Sequence, residues 1–273
     1  MTPHRKITWL CIGLLILIRL PLETGLPLIW HDLPGWLNPI FEICSYLIVA
    51  FLIWWERSDL AAFHLDSLAV WIILLAKPAQ TIILKIWGFP SLLAFPQPLS
   101  WSFFLIALAL LVALLLDRQA PGWPKGKSLA WFLAGGLFGI VANILVSLAM
   151  IAWLDFPVPP DPGKRALLSP LYQLGYAAVS EEPLFRAFLW GALRKAGWRD
   201  GRICLLQAAL FALGHLHLLV LPQAALNLSI VFAFALVLGW LAWRSRTIAT
   251  SMAFHALWNG SQLAVYTVVL AIF

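Results

Sequence analysis

Charge is what this sequence has least of. Of its 273 residues only 11% are Asp, Glu, Lys or Arg, where a soluble domain carries roughly a quarter. That shortage excludes an ordinary water-soluble domain and leaves no room for a large one beside the apolar segments. Cysteine is also scarce. Cys11, Cys44 and Cys204 fall in separate apolar segments, with no CxxC and no Cys/His cluster. A disulfide framework is therefore excluded, and the three read as small buried apolar residues. The HExxH pattern of the commonest zinc peptidases is missing. No internal repeat is evident.

What the chain does have is apolar length. Hydrophobic residues make up 62% of it, 16 residues are Trp, and the mean hydropathy is +0.90. Trp favours the membrane–water boundary. A helix needs about 20 apolar residues to cross a bilayer. Nine segments approach that length: 7–22, 36–55, 67–86, 98–116, 128–154, 167–192, 202–220, 224–243 and 248–272. The first is short and carries Arg19, and the third carries Lys77 and Pro78, which predicts an irregular helix there. The basic start, Met1 to Lys6, resembles a signal peptide, but Arg-Leu-Pro-Leu-Glu follows rather than a small-residue cleavage pattern. It reads as an uncleaved first span. The expected fold is all-α, a polytopic transmembrane helical bundle of eight or nine spans.

The loops fix a direction. Arg5, Lys6, Arg57, Arg118, Lys125, Lys127, Arg194, Lys195, Arg199, Arg202, Arg244 and Arg246 account for 12 of the 18 basic residues, and all fall on one side if nine spans alternate. The opposite loops hold Lys164 and Arg165, and Arg19, Lys77, Lys85 and Arg186 lie within spans. Positive loops stay inside, so the N-terminus is expected in the cytoplasm and the C-terminus outside. The net charge of +6 then reflects membrane orientation, and no nucleic-acid partner is expected. Membrane lipids are. A Pro- and Gly-rich stretch near residue 160 divides the N-terminal helices, 1–160, from a region, 161–273, that holds the unusual polar residues.

A charge at membrane depth costs roughly 3 kcal/mol or more and asks for a reason. The sixth segment holds three charges in Ser180-Glu181-Glu182-Pro183-Leu184-Phe185-Arg186. Glu182 and Arg186 are four apart, in the favourable acid-before-base order, and pair on a helix. Glu181 points about 100° away and has Phe185 at its own i+4 position. Spacing therefore makes Glu182 structural and leaves Glu181 for chemistry. Pro183 removes one backbone donor and invites a kink. In the seventh segment His215 and His217 are two apart, on nearly opposite helix faces. His215 lies deeper, one turn beyond Phe211, while His217 suits the interface. In the ninth, His255 and Asn259 share a face; helix–helix glue would explain both equally well. Measured from the basic loops, Glu181, His215 and Asn259 all lie about 13 residues in, roughly 20 Å, with His255 about one turn shallower. That matched depth places them in one cavity.

A carboxylate and a histidine can activate water, and a second histidine or an amide can hold an oxyanion. The set suits peptide hydrolysis. Glu181, His215 and His255 also have the ligand types of a His₂Glu zinc site, and ligand types alone do not separate a metal-bound water from a glutamate-activated one. Two non-proteolytic readings compete. One is a membrane immunity or assembly factor with a structural polar cluster. The other is a proton relay or transporter, which the missing internal symmetry disfavours.

Glu-Glu-x-x-x-Arg at 181–186, Phe-x-x-x-His at 211–215 and His-x-x-x-Asn at 255–259 resemble, in order, the three motifs of the CPBP family. These are the CAAX-protease and bacteriocin-processing intramembrane endopeptidases, which include the type II CAAX prenyl endopeptidases. The resemblance covers about residues 165–272. It implies a glutamic endopeptidase without a cofactor, in which Glu181 activates water with help from His215. His255 and Asn259 would stabilise the oxyanion, and Glu182, Arg186 and Phe211 would support the site. Zinc stays open as an alternative. The implied substrate is a membrane-anchored peptide or protein, a C-terminal tail or sorting signal, and a bacterial inner membrane is the expected location.

Overall fold

The computed structural model describes residues 3–20, 127–154, 169–215 and 223–272, with isolated positions at 40–55 and 108. Every element among them is helical. Helix α1 spans Pro3–Leu20 and α2 spans Lys127–Leu154. A continuous helical rod, α3, begins at 169. It passes through Leu174–Ala178, Val179–Glu182 and Pro183–Leu189 and ends as Trp190–Lys195. Then come α4 (Asp200–Leu213), α5 (Ala224–Ser245) and α6 (Ile248–Ile272). The second to fourth expected spans fall largely outside the described residues, as does His217.

Two described helices are long and apolar enough to cross a membrane, over Leu129–Met150 and Ala224–Ser245. The apolar surfaces turned outward fit that setting: Leu133, Leu137 and Leu145 of α2 are all exposed, as side chains facing lipid would be. The seventh segment is shorter than its hydropathy suggests. Helix α4 closes at Leu213, with Gly214 as its cap and the His215 amide turning back to the Ala212 carbonyl. At 14 residues it rises only about 21 Å. His215 thus sits just past a helix end rather than inside a helix.

The rod α3 is not uniformly α. Leu174–Ala178 and Pro183–Leu189 are wound as π-helix, a geometry that is rare and often found at functional sites. Pro183 lacks the amide that would close the preceding turn, which is a local reason for the wider winding after Glu182. The two π segments bracket Val179–Glu182, so the paired glutamates sit on a single α turn between them.

Short turns fix the neighbours. Gly197, at φ +86°, lets α3 stop: Trp198 N–H returns to Leu193 C=O and Gly197 N–H to Arg194 C=O, a glycine-dependent helix stop. The chain turns straight into α4. There Asp200 takes hydrogen bonds from Trp190 Nε1 at 3.0 Å and Arg194 Nη2 at 2.9 Å. Arg246, at φ 60°, ends α5, and Thr247 Oγ1 accepts the Ala249 amide to start α6. That tight connection makes α5 and α6 antiparallel neighbours.

Helix α2 packs along α6 as closely as backbone allows. A Cβ on Gly135 would meet the Thr250 carbonyl, and one on Gly139 would come within 2.7 Å of the Phe254 carbonyl. Small residues at such contacts let membrane helices approach. The division near residue 160 therefore does not separate two packing units: the last helix of the first region, α2, lies along the last helix of the second.

Candidate active site

Four elements converge on one buried cluster: the glutamate turn of α3, the end of α4, the middle of α5 and the first half of α6. Glu182 and Arg186 are both fully buried. Arg186 Nη1 donates to Glu182 Oε1 at 3.2 Å, so the pair inferred from spacing is formed. Burying two charges costs more than a surface pair returns unless further hydrogen bonds complete them. Here Arg186 Nη2 reaches the Ala235 carbonyl of α5 at 3.4 Å. The guanidinium also lies 4.7 Å from the centre of the Phe211 ring and 5.5 Å from that of Phe185, within cation–π range.

Glu182 has a second partner that spacing did not reveal. His255 Nδ1 lies 2.9 Å from the same oxygen, Oε1, and His255 is 2% exposed. An ionised carboxylate only accepts, so Nδ1 carries the proton in this contact. The other ring nitrogen, Nε2, points toward Glu181, whose Oε2 is 3.9 Å away. That is beyond hydrogen-bond length. Glu181 keeps a quarter of its side-chain surface, 25%, while Glu182 keeps none. The two adjacent glutamates therefore differ as their spacing predicted: one locked, one accessible. His255 belongs to both, which makes it a bridge between scaffold and accessible carboxylate.

His215 joins the cluster through Phe211. Its Nδ1 is 2.8 Å from the Phe211 carbonyl. A carbonyl accepts, so in this contact the proton sits on Nδ1. The imidazole stacks on the Phe211 ring at 4.8 Å, and that ring meets His255 edge-on at 6.2 Å. Phe211 is thus a shared floor for Arg186, His215 and His255. Asn259 follows His255 by one turn on the same face of α6 and is half-buried. Among the described residues no group of three His, Cys, Asp or Glu side chains is arranged to hold a metal ion. The set Glu181, His215 and His255 is not arranged as such a group.

Two polar residues of this neighbourhood escaped the reading of the sequence. Gln207 is fully buried. Its amide donates to the Ala235 carbonyl at 2.9 Å, the same acceptor Arg186 uses, and to Cys204 C=O at 3.1 Å. Gly239 makes room for it: a Cβ there would strike the Gln207 amide. The other is Asn143 of α2, 2% exposed. Both had a signal, a carboxamide alone in an apolar run, but neither belongs to a chemical constellation by spacing.

Residues 164–261 match the family model described as type II CAAX prenyl endopeptidase Rce1-like. The matched stretch contains Glu181, Glu182, Arg186, Phe211, His215, His255 and Asn259 and leaves out α1 and α2. Comparison with curated proteins and with solved structures gives no significant match.

Proposed function

From the membership of residues 164–261 in the type II CAAX prenyl endopeptidase Rce1-like family, we propose that this membrane protein is an intramembrane endopeptidase using a glutamate-activated water. The observation that carries the reading is the inequality of Glu181 and Glu182. Glu182 has no exposed surface and is held through one oxygen by Arg186 and His255. Glu181, on the same helical turn, keeps exposed oxygen and no hydrogen bond from His255.

In this mechanism the Glu181 carboxylate takes a proton from water as the water oxygen attacks the scissile carbonyl carbon. The carbonyl becomes an oxyanion, held by His255 Nε2–H and the Asn259 amide. Because Nδ1–H of His255 is committed to Glu182, donation from Nε2 requires a proton on that nitrogen as well. When the C–N bond breaks, the departing amine takes the proton from Glu181. His215 assists the proton transfer. This reading routes no step through a metal. The substrate class is a membrane-anchored peptide or protein cut in a C-terminal tail or sorting signal. The orientation follows the loop charges, N-terminus cytoplasmic and C-terminus outside, in a bacterial inner membrane whose lipids surround the bundle.

The test is to delete the protein from its host, identify membrane or secreted proteins that change size, and restore it as Glu181→Gln. Processing is expected with the wild type and not with the variant. Full processing by Glu181→Gln would sink the general-base role.

A further inference from the structure

Asn143 lies outside the matched residues 164–261, in the middle of α2, yet it is buried against the helix that carries His255 and Asn259. Its amide nitrogen donates to the Trp258 carbonyl at 3.1 Å and to Ser261 Oγ at 2.9 Å. Its amide oxygen accepts from Ser147 Oγ one turn on, at 3.3 Å. That third bond fixes which end of the amide faces α6. We infer that Asn143 is a positioning residue that sets the height and rotation of α6, and through it the bridge His255 makes between the two glutamates. The inference rests on the proposed endopeptidase reading for its functional consequence, though not for its geometry.

First, α6 has two faces at this level. Phe254, Trp258 and Ser261 follow at i, i+4 and i+7 toward α2, while Ser251, His255 and Asn259 lie at i, i+4 and i+8 toward the glutamates. Whatever fixes one face fixes the other. Second, apolar contacts alone leave a helix free to slide or roll. The seam between α2 and α6 is smooth where Gly135 and Gly139 meet α6 backbone. The two bonds from Asn143, directed at a main-chain carbonyl and a hydroxyl, supply the register the smooth seam lacks. Buried polar groups serve this purpose in paired helices elsewhere. Third, the tie is next to the site. Trp258 stacks on Phe254 at 5.8 Å and packs on Phe234 at 5.4 Å, and Phe234 meets the His255 ring edge-on at 5.1 Å. A roll of α6 at Trp258 therefore moves His255 both through the backbone and through Phe234.

The test uses the full-length protein in detergent with ¹⁵N-labelled histidine. The His255 signals among the 6 histidines are assigned by their loss in His255→Gln. In folded Asn143→Leu, which keeps the volume and removes the donor, the His255 ring-nitrogen signals are expected to move from their wild-type positions. Processing of size-shifted membrane proteins in cells should slow by roughly tenfold or more, as small misplacements of reacting groups do. Unchanged His255 signals in folded Asn143→Leu would overturn the inference. Should that variant not fold, Ser261→Ala, which removes one of the two α6 partners, is read the same way, with a smaller shift expected and no shift overturning it. Absence of processing by the wild type would defeat the endopeptidase reading while leaving the signals of His255 to decide the role of Asn143.

Discussion

Glu182 Oε1 lies 2.9 Å from His255 Nδ1, across 73 residues of sequence, and Arg186 Nη1 shares that same oxygen. One atom thus joins α3 to α6 with no solvent to screen it. The arrangement sets two neighbouring glutamates apart: Glu182 has no exposed surface and one oxygen held by two donors, whereas Glu181 is a quarter exposed. Removing the scaffold and removing the accessible carboxylate should therefore have different signatures.

Glu182→Ala leaves Arg186 buried without its counter-ion and His255 without its acceptor. Breaking a buried pair from one side costs about 3–5 kcal/mol. Glu181→Ala removes a partly exposed group with no hydrogen bond from His255 and should cost about 1 kcal/mol or less. Both variants should lose processing. Unfolding in graded denaturing detergent, monitored by Trp fluorescence, separates them: equal destabilisation would mean that the division of roles is wrong.

Gly260 carries a second prediction. It follows Asn259 directly, and a Cβ there would collide with the backbone of Pro170, with the Ser169 carbonyl carbon 2.8 Å away. Neither obstacle is a side-chain tip that can swing aside. The start of α3, which leads to the glutamate turn, must then move away from α6. Overpacking of this kind costs about 1–3 kcal/mol. Gly260→Ala is expected to lower both thermal stability and processing, with the His255–Glu182 contact loosened. A variant with wild-type melting and wild-type processing would show that the approach of α3 to α6 is not needed at this level.

How much of this was legible beforehand depends on the kind of interaction. The pair of Glu182 with Arg186 is local, four residues apart on one helix, and spacing was enough to find it. The polar positions gathered in the cluster were legible as costly residues in apolar runs. The link from Glu182 to His255 was not, because depth counting gives a level and not a direction around the helix. The end of α4 at Leu213 was also hidden, since the apolar run continues through Leu216 and beyond while the backbone turns at Gly214. The π winding after Pro183 had a cause in the sequence, a missing amide, but a kink and a wider helix are equally good responses to it. Asn143 and Gln207 stood alone in their segments, and what they bind, the carbonyls of Trp258 and Ala235, carries no side-chain signature at all.

At the basic end of the bundle, Asp200 gives a pH prediction. Its carboxyl is held below the ordinary value of 3.8, chiefly by the hydrogen bond from Arg194, with Trp190 and the Arg194 charge adding to it against partial burial. The folded form therefore binds its proton less readily than the unfolded form. The sign follows: this contribution is complete above the unfolded value, about pH 4, and is lost as pH falls through the lower folded value. Asp200→Asn should lower stability at neutral pH by about 1–2 kcal/mol, as loss of charged hydrogen bonds does, and should flatten the decline of stability below about pH 4. Melting curves of wild type and variant across that range should converge toward acid. Parallel curves would show that the Arg194–Asp200 latch does not carry this dependence.

Metal dependence is the sharpest remaining contrast between the two chemistries that Glu181, His215 and His255 can support. A zinc site needs ligands that converge on one point with lone pairs free. Here His255 Nδ1 faces Glu182 and His215 Nδ1 faces the Phe211 carbonyl. Such contacts are compatible with ligation through Nε2, but no three-ligand group is arranged among the described residues. Purified protein dialysed against a strong chelator should therefore keep its processing activity, and elemental analysis should find well under one zinc per chain. The two measurements must agree. Stoichiometric zinc that leaves together with activity, and restores it on return, would move Glu181 from base to ligand, with the histidine Nδ1 contacts serving to orient the rings.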